Sequence, residues 1–187
     1  MERRNFIQSA LTLAAAGSLT SPLLAQQHTP PEKGFTVKAL ATRYKDKIVY
    51  GNTPIDFKLL SSDTEDRLSI FISTNNQKGF GPPLHLHHSF DEFFCVLEGK
   101  FLFQLDDDMH SLEKGDSIFI PRNNKHRFNY EGETSGTLLV GITPAKGMEK
   151  YFTDMGKLLT SDGMPDMAAM QALYKSYDSE ILGPPMK

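Results

Sequence analysis

The chain has 187 residues, a formal net charge of −3, 39% hydrophobic residues and one cysteine. This length suits a single domain with a real core, and the slightly acidic charge argues against a nucleic-acid-binding protein. The single cysteine excludes an intrachain disulfide framework, a Cys-rich zinc site and an iron–sulfur cluster held by this chain alone. The six histidines are therefore the main candidate ligands for a transition metal.

The N-terminus predicts an export signal. Arg3 and Arg4 precede a moderately apolar run of small residues that ends near Ala25. Ser, Thr, Gly and Pro interrupt this run too often for a membrane-spanning helix. It resembles a twin-arginine signal, with an ordinary Sec signal or an uncleaved amphipathic anchor as alternatives. We expect residues 1–25 to be a signal peptide and 26–34 a tether. The mature protein is then periplasmic or extracellular, with no membrane contact.

Residues 35–144 predict a domain of short antiparallel strands. Apolar or alternating runs are separated by turn residues about every 8–12 positions, which is typical of an all-β sandwich or barrel. In one run Leu68, Ile70 and Ile72 alternate with Ser69, Phe71 and Ser73, which predicts a strand with one strongly apolar face. The predicted strands are Ile55–Leu60, Arg67–Thr74, Glu92–Glu98, Lys100–Asp106, Asp116–Ile120 and Thr137–Thr143.

The pattern changes to helical spacing after Pro144. The predicted helices are Lys146–Leu159 and Pro165–Tyr177, so residues 145–187 are expected to form a helical extension. The strand segments 93–97 and 101–105 are apolar on both faces, which implies that their outer faces are covered. The C-terminal helices or a second subunit would supply that cover, and we expect a homodimer.

Two short windows contain the residues that predict chemistry. On a strand, His85 and His87 point to the same face, and Glu92 begins the next strand after a short turn. A turn after Pro121 returns His126 on a neighbouring strand. Three imidazoles and one carboxylate suit one divalent transition metal, namely Fe, Mn, Co, Ni, Cu or Zn. One or two coordination positions stay open for a small-molecule substrate or O2. The other histidines (His28, His88 and His110) are expected to be structural or solvated.

Both windows resemble the two motifs of the cupin superfamily. The first window matches throughout, whereas the second departs at two positions. Asn123 replaces a usual glycine, and Tyr130 replaces a usual asparagine, with Asn129 one position early. The matching residues are Gly79, His85, His87, Glu92 and Gly99 in the first window, and Gly115, Pro121 and His126 in the second. The resemblance implies a cupin double-stranded β-helix (jelly-roll) barrel over residues 35–144.

The segments Gly81–Leu84 and Glu180–Pro185 also resemble small single-domain cupins of the quercetinase-like kind. This resemblance implies an exported metal-dependent dioxygenase, an oxidoreductase acting on a small aromatic or enolisable substrate. Glu92 would then also serve as a catalytic base, a role that needs a pKa near neutrality. Two alternatives remain: an isomerase or lyase of sugars or keto acids, and a non-catalytic ligand-binding cupin.

Aromatic residues near the motifs favour an aromatic substrate. If Phe103, Phe119 and Phe128 alternate inward, they would line an apolar pocket over the metal. Arg122 and Lys125 lie close to His126 in the sequence. They would either be solvated in a loop or meet an anionic substrate.

Overall fold

The computed structural model describes residues 30–158 and 166–186 of the chain. The signal peptide predicted at residues 1–25 lies outside these residues, as does the part of the tether before residue 30. No helix in the described ranges is long and apolar enough to cross a membrane. The elements are β1 (Ile48–Tyr50), β2 (Thr53–Leu59), a 3-10 helix (Ser61–Thr64), β3 (Ser69–Asn76), β4 (Pro83–His87), β5 (Asp91–Glu98), β6 (Lys100–Leu105), β7 (Asp108–Glu113), β8 (Ser117–Ile120), β9 (His126–Tyr130), β10 (Gly136–Thr143), α1 (Met148–Leu158), α2 (Met167–Ser176) and β11 (Ser179–Pro185).

The strands form two antiparallel sheets that enclose one core. The six-stranded sheet has the order β1-β2-β3-β10-β5-β8, and the five-stranded sheet has the order β11-β4-β9-β6-β7. Strands that follow one another in the chain often lie in different sheets, so the chain crosses repeatedly from one sheet to the other. This arrangement confirms the predicted all-β jelly-roll class with a short C-terminal extension.

Aromatic side chains fill the space between the sheets. Phe57, Phe101 and Phe103 are completely buried, and each ring lies 5.3 Å from a neighbouring aromatic ring, a distance typical of favourable aromatic pairs. The tight turn between β5 and β6 depends on Gly99, which has a φ of +86°. A Cβ atom there would approach the Tyr130 ring to 2.6 Å, so a larger residue would push the turn away from the barrel.

The inward face of β3 is the opposite of the one that its apolar pattern suggested. Ser69, Phe71 and Ser73 face the interior, whereas Ile70 and Ile72 are half-buried on the outer face. The small Ser73 side chain borders an internal cavity, where it leaves space that isoleucine would fill. Alternation therefore predicted a strand here but not the face that turns inward.

The C-terminal segment contains a strand in addition to the two predicted helices. Within the described residues the helices begin and end close to their predicted limits, and Leu159 and Pro165 lie outside those residues. Asp166 caps α2, since its carboxylate accepts a hydrogen bond from Ala168 N at 2.9 Å. The last described residues then form β11, which pairs with β4. The extension is thus built into the five-stranded sheet beside the strand that contains His85 and His87.

The outer face of the six-stranded sheet exposes apolar side chains. Phe93 and Phe119 are opposite each other on β5 and β8, and both are more than one-third exposed. Among the described residues, α1 packs against β1, and α2 packs against β11. Neither helix therefore provides the cover predicted for β5, and the homodimer stays a prediction.

Candidate metal centre

The four predicted ligands meet at one point between the two sheets. His85 and His87 project inward from β4, and His126 begins β9, where it pairs with His85 across the ladder. Glu92 approaches from the second residue of β5 in the facing sheet. All four side chains are buried, and their candidate donor atoms lie within 4.8 Å of one another. The structure therefore brings together every metal ligand that the motif spacing predicted.

In each of the three histidines, Nδ1 points away from the centre and makes a hydrogen bond, which fixes Nε2 toward the centre. His85 Nδ1 lies 2.7 Å from Pro83 O, and His126 Nδ1 lies 3.0 Å from Asn124 O. A carbonyl oxygen only accepts, so both Nδ1 atoms must carry hydrogen. His87 Nδ1 lies 2.8 Å from Ser179 Oγ, and this hydroxyl already donates to Tyr177 O. In the neutral rings, all three Nε2 lone pairs consequently face the centre.

The nitrogen and oxygen atoms that face the centre are arranged as ligands of a metal ion rather than as hydrogen-bond partners of one another. His87 Nε2 is a buried nitrogen without a hydrogen-bond partner within the described ranges. His126 Nε2 and Glu92 Oε2 are 2.8 Å apart, although both act as acceptors when the ring is neutral and the carboxyl is ionised. A positive charge must lie between them, either a shared proton or a metal ion. The donor set of three nitrogens and one oxygen suits a divalent transition metal.

The electrostatics favour the neutral forms of His85 and His87 and an ionised Glu92. Burial lowers the pKa of His85 well below its usual value, and the positive charges of His126 and His87 lower it further. Burial also lowers the pKa of His87. For Glu92, burial raises the pKa, but His87 and His126 outweigh burial and hold the pKa well below its usual value. These are the metal-binding protonation states. The direction for Glu92 is opposite to that expected of a base with a pKa near neutrality.

Two aspartates hold the turn that delivers His126. The Asp91 carboxylate accepts from Arg122 N, Nε and Nη2 at 2.8–2.9 Å. The Asp106 carboxylate accepts from Asn124 Nδ2 at 2.6 Å and from Lys125 N at 3.1 Å. The turn is therefore fixed on both sides before β9 begins, which reduces the freedom that His126 must lose on binding a metal.

The two departures from the cupin motifs are accommodated locally. Asn123 has a φ of +69°, a left-handed conformation that asparagine tolerates better than most residues. Asn129 is buried, and its Oδ1 accepts a hydrogen bond from Gly79 N at 2.8 Å. Asn129 therefore joins the first motif to the second from one position earlier than usual.

Three residues that contact the histidines are missing from the predicted site. Ser179 contacts His87 from β11, and the Tyr174 ring packs edge-on against His85, with centroids 5.4 Å apart. Phe90 stacks on the His87 ring at a centroid distance of 4.0 Å. Ser179 and Tyr174 are far from both motifs in sequence, and only the pairing of β11 with β4 brings them to the site.

Replacing Ser179 by alanine is expected to lower the affinity for Zn²⁺ about 10- to 100-fold, as is typical for a residue that orients a metal-binding histidine. The variant leaves His87 Nδ1 without its acceptor, so the ring can turn away from the centre. Competition with a chromogenic chelator measures the affinity. Ser179→Thr retains a hydroxyl and should rescue binding. Ser176→Ala, which removes an exposed hydroxyl, should bind like the wild type. Equal affinities for Ser179→Ala and the wild type would contradict this role.

A mostly apolar cavity of about 90 Å³ opens beside the four ligands. At about 10–15 Å³ for each water molecule, it has room for roughly six to nine of them. Phe128 lines the cavity, whereas Phe103 is completely buried in the core behind it. The prediction for Phe119 is corrected, since this side chain is 53% exposed on the outer face. Its neighbours Ile118 and Ile120 take the inward positions of β8.

Among the residues that the structure describes, neither Lys nor Arg lines the cavity. Arg122 pairs with Asp91, and Lys125 pairs with Asp107 at 2.8 Å. In the part of the chain that the structure describes, neither they nor any other Lys or Arg lines the cavity, and Glu92 is its one carboxylate. Of the two interpretations for Arg122 and Lys125, the structure thus favours paired surface groups over contacts with an anionic substrate.

Comparison with known proteins identifies the central segment. Residues 74–142 match the family model of the cupin domain. Uncharacterized protein MJ1618 of Methanocaldococcus jannaschii is 37% identical over 49 residues, which cover 26% of this chain and 39% of that protein. Protein SchB of Streptomyces halstedii is 35% identical over 60 residues, which cover 32% and 44%. The chain thus spans less than half the length of these relatives.

Among solved structures, KdgF from Halomonas sp. is 15% identical with a TM-score of 0.49, and the alignment covers 60% of this chain and 94% of that one. The jelly-roll topology and the order of the four candidate ligands agree with the match of the family model. Residues 74–142 of this chain therefore match the cupin domain in sequence, and the sheet topology agrees with its jelly-roll fold.

Proposed function

We propose that this chain is a metal-dependent dioxygenase of the quercetinase-like kind, acting on a small aromatic or enolisable substrate. The observation that carries the proposal is the convergence of four buried donor atoms at the wall of an apolar, partly aromatic cavity. His85, His87, Glu92 and His126 would hold the ion. When bound, it supplies Lewis-acid chemistry that lowers the pKa of a substrate hydroxyl.

The residues around the ligands suit a flat, uncharged molecule. Phe71, Phe94 and Phe128 offer ring faces and edges that position an aromatic substrate and exclude water. The volume fits a single ring more readily than a larger polycyclic compound. Among the described residues the cavity offers no Lys or Arg that would pair with a phosphate or a free carboxylate away from the metal, which favours an uncharged substrate.

Glu92 is the residue that would receive the proton of the substrate hydroxyl. It is the one carboxylate at the cavity in the described residues, and it is ionised, as a proton acceptor must be. Its low pKa makes it a weak base, so transfer depends on a substrate hydroxyl that is itself acidified. Glu92 therefore acts in this proposal both as a ligand and as the proton acceptor.

Oxygen uptake tests the proposal. The protein is loaded separately with Mn, Fe, Co, Ni and Cu, its metal content is measured, and it is supplied with catechols, hydroxyketones and flavonols in air and under nitrogen. Substrate loss matched by O2 consumption supports a dioxygenase. Conversion under nitrogen would instead show an isomerase or lyase, and saturable binding without turnover would show a binding protein. If none of the compounds is bound or converted by protein that holds one metal ion per chain, the proposed activity is overturned.

A further inference from the structure

Three tyrosines border the cavity beside the metal centre. Tyr50 ends β1, Tyr151 lies in α1 and Tyr174 lies in α2, and all three line the cavity. They come from parts of the chain outside the segment that matches the cupin family model. None of them is a candidate metal ligand, so the metal centre alone does not explain why three phenols gather here.

The tyrosines lie close to the ligands and to one another. The Tyr174 ring contacts that of His85, and the rings of Tyr151 and Tyr174 are 6.0 Å apart at an interplanar angle of 78°. Tyr151 and Tyr174 are almost completely buried. Burial raises the pKa of both phenols well above its usual value, and the charge of Glu92 adds to that shift.

The hydroxyl groups have donor capacity to spare. Across residues 30–158 and 166–186, no backbone group and no side chain outside the cluster hydrogen bonds to the three hydroxyls. The rings of Tyr151 and Tyr174 meet edge to face, and even a hydrogen bond between two phenols would leave one hydroxyl hydrogen free. Burial raises the pKa of Tyr50 to about 12, so it also remains a donor. A phenol hydroxyl that faces the cavity can donate a hydrogen bond to a bound molecule.

We propose that Tyr50, Tyr151 and Tyr174 form a donor site for a second oxygen of the substrate, next to the oxygen held at the metal centre. The cavity would then select one-ring compounds with two neighbouring oxygens over compounds with one. This inference rests on the proposed function, because it assumes that the first oxygen binds at the metal. Neutral donors fit the role since no cation lines the described cavity, and donors fixed in a dry site stabilise developing negative charge strongly.

Binding of catechol and phenol to the zinc-loaded protein tests the inference. Calorimetry under nitrogen avoids oxidation, and zinc supports no oxygen chemistry, so the result is independent of any dioxygenase activity. Wild-type protein should bind catechol more tightly than phenol. Tyr151→Phe and Tyr174→Phe should each weaken catechol binding about tenfold, the typical effect of losing one hydrogen bond to a charged or polar acceptor. Neither variant should change phenol binding or the zinc content.

Tyr130→Phe is the matched control. Tyr130 is also buried, but its hydroxyl faces Thr134 and does not line the cavity, so this variant should bind catechol like the wild type. Unchanged catechol affinity in both cavity variants would overturn the inference, as would an equal loss for catechol and phenol. Failure of the zinc protein to bind either compound would also overturn it. Failure of oxygen uptake alone would overturn the proposed activity but leave the donor site standing.

Discussion

Replacing His126 by glutamine is expected to weaken the binding of Zn²⁺ about 100- to 1000-fold. Four protein ligands typically bind structural zinc with about 10–16 kcal/mol, so losing one imidazole removes on the order of 3–4 kcal/mol. Glutamine is similar in size and polar, which limits the damage at this completely buried position. Metal content after dialysis, together with a chelator competition titration, gives the change in affinity.

The matched control is His110→Gln. His110 lies on β7, half-buried, and it is neither a candidate ligand nor part of the cavity lining. Its variant should retain the wild-type affinity, and far-UV circular dichroism should show the same β-sheet content for both variants. If His126→Gln binds zinc as tightly as the wild type, the four residues do not form the metal site.

The expected loss is large because the site is organised before a metal binds. Each histidine is oriented by an acceptor outside the centre, and these acceptors come from three places: the start of β4, the turn before β9, and β11. Glu92 comes from the opposite sheet, so metal binding connects the two sheets directly. Little conformational entropy is left to lose on binding, and a replacement side chain cannot move to compensate.

The metal ligands could be predicted from sequence because they depend on short spacings. His85 and His87 share a face as soon as their segment is a strand, and the motif order places Glu92 and His126 on the strands that follow. The departure at Asn123 was also interpretable, since the left-handed conformation needed there is one that asparagine adopts. These inferences use geometry within a few residues.

The surroundings of the site depend on contacts between distant residues. Ser179 lies 92 positions after His87, and no periodicity indicates that β11 pairs with β4. Phe119 and β3 illustrate a second limit, because strands with apolar residues on both faces do not reveal which face turns inward. The pKa of Glu92 shows a third: burial and neighbouring histidines shift it in opposite directions, and only the distances decide between them.

Replacing Phe57 by alanine is expected to lower the free energy of unfolding by about 3–5 kcal/mol, the usual cost of deleting a buried aromatic side chain. Phe57 is completely buried on β2, and its ring lies 5.3 Å from Phe71 and 6.1 Å from Phe152. It therefore joins the sheet to α1 behind two residues that line the cavity. The melting temperature should fall by about 6–20 °C for a chain of this size. The chain has no tryptophan, so circular dichroism is the appropriate probe.

Phe119→Ala makes the same chemical change on the outer face, where the side chain is 53% exposed. An exposed substitution of this kind should change the free energy of unfolding by no more than about 0.5 kcal/mol in a monomer. A small effect at both positions would contradict the central packing role of Phe57. If Phe119→Ala instead destabilises the protein as much as Phe57→Ala, and the melting temperature of the wild type rises with protein concentration, the outer face is buried between two copies. The pair of variants therefore tests the core and the predicted homodimer together, because only association makes the stability at Phe119 depend on protein concentration.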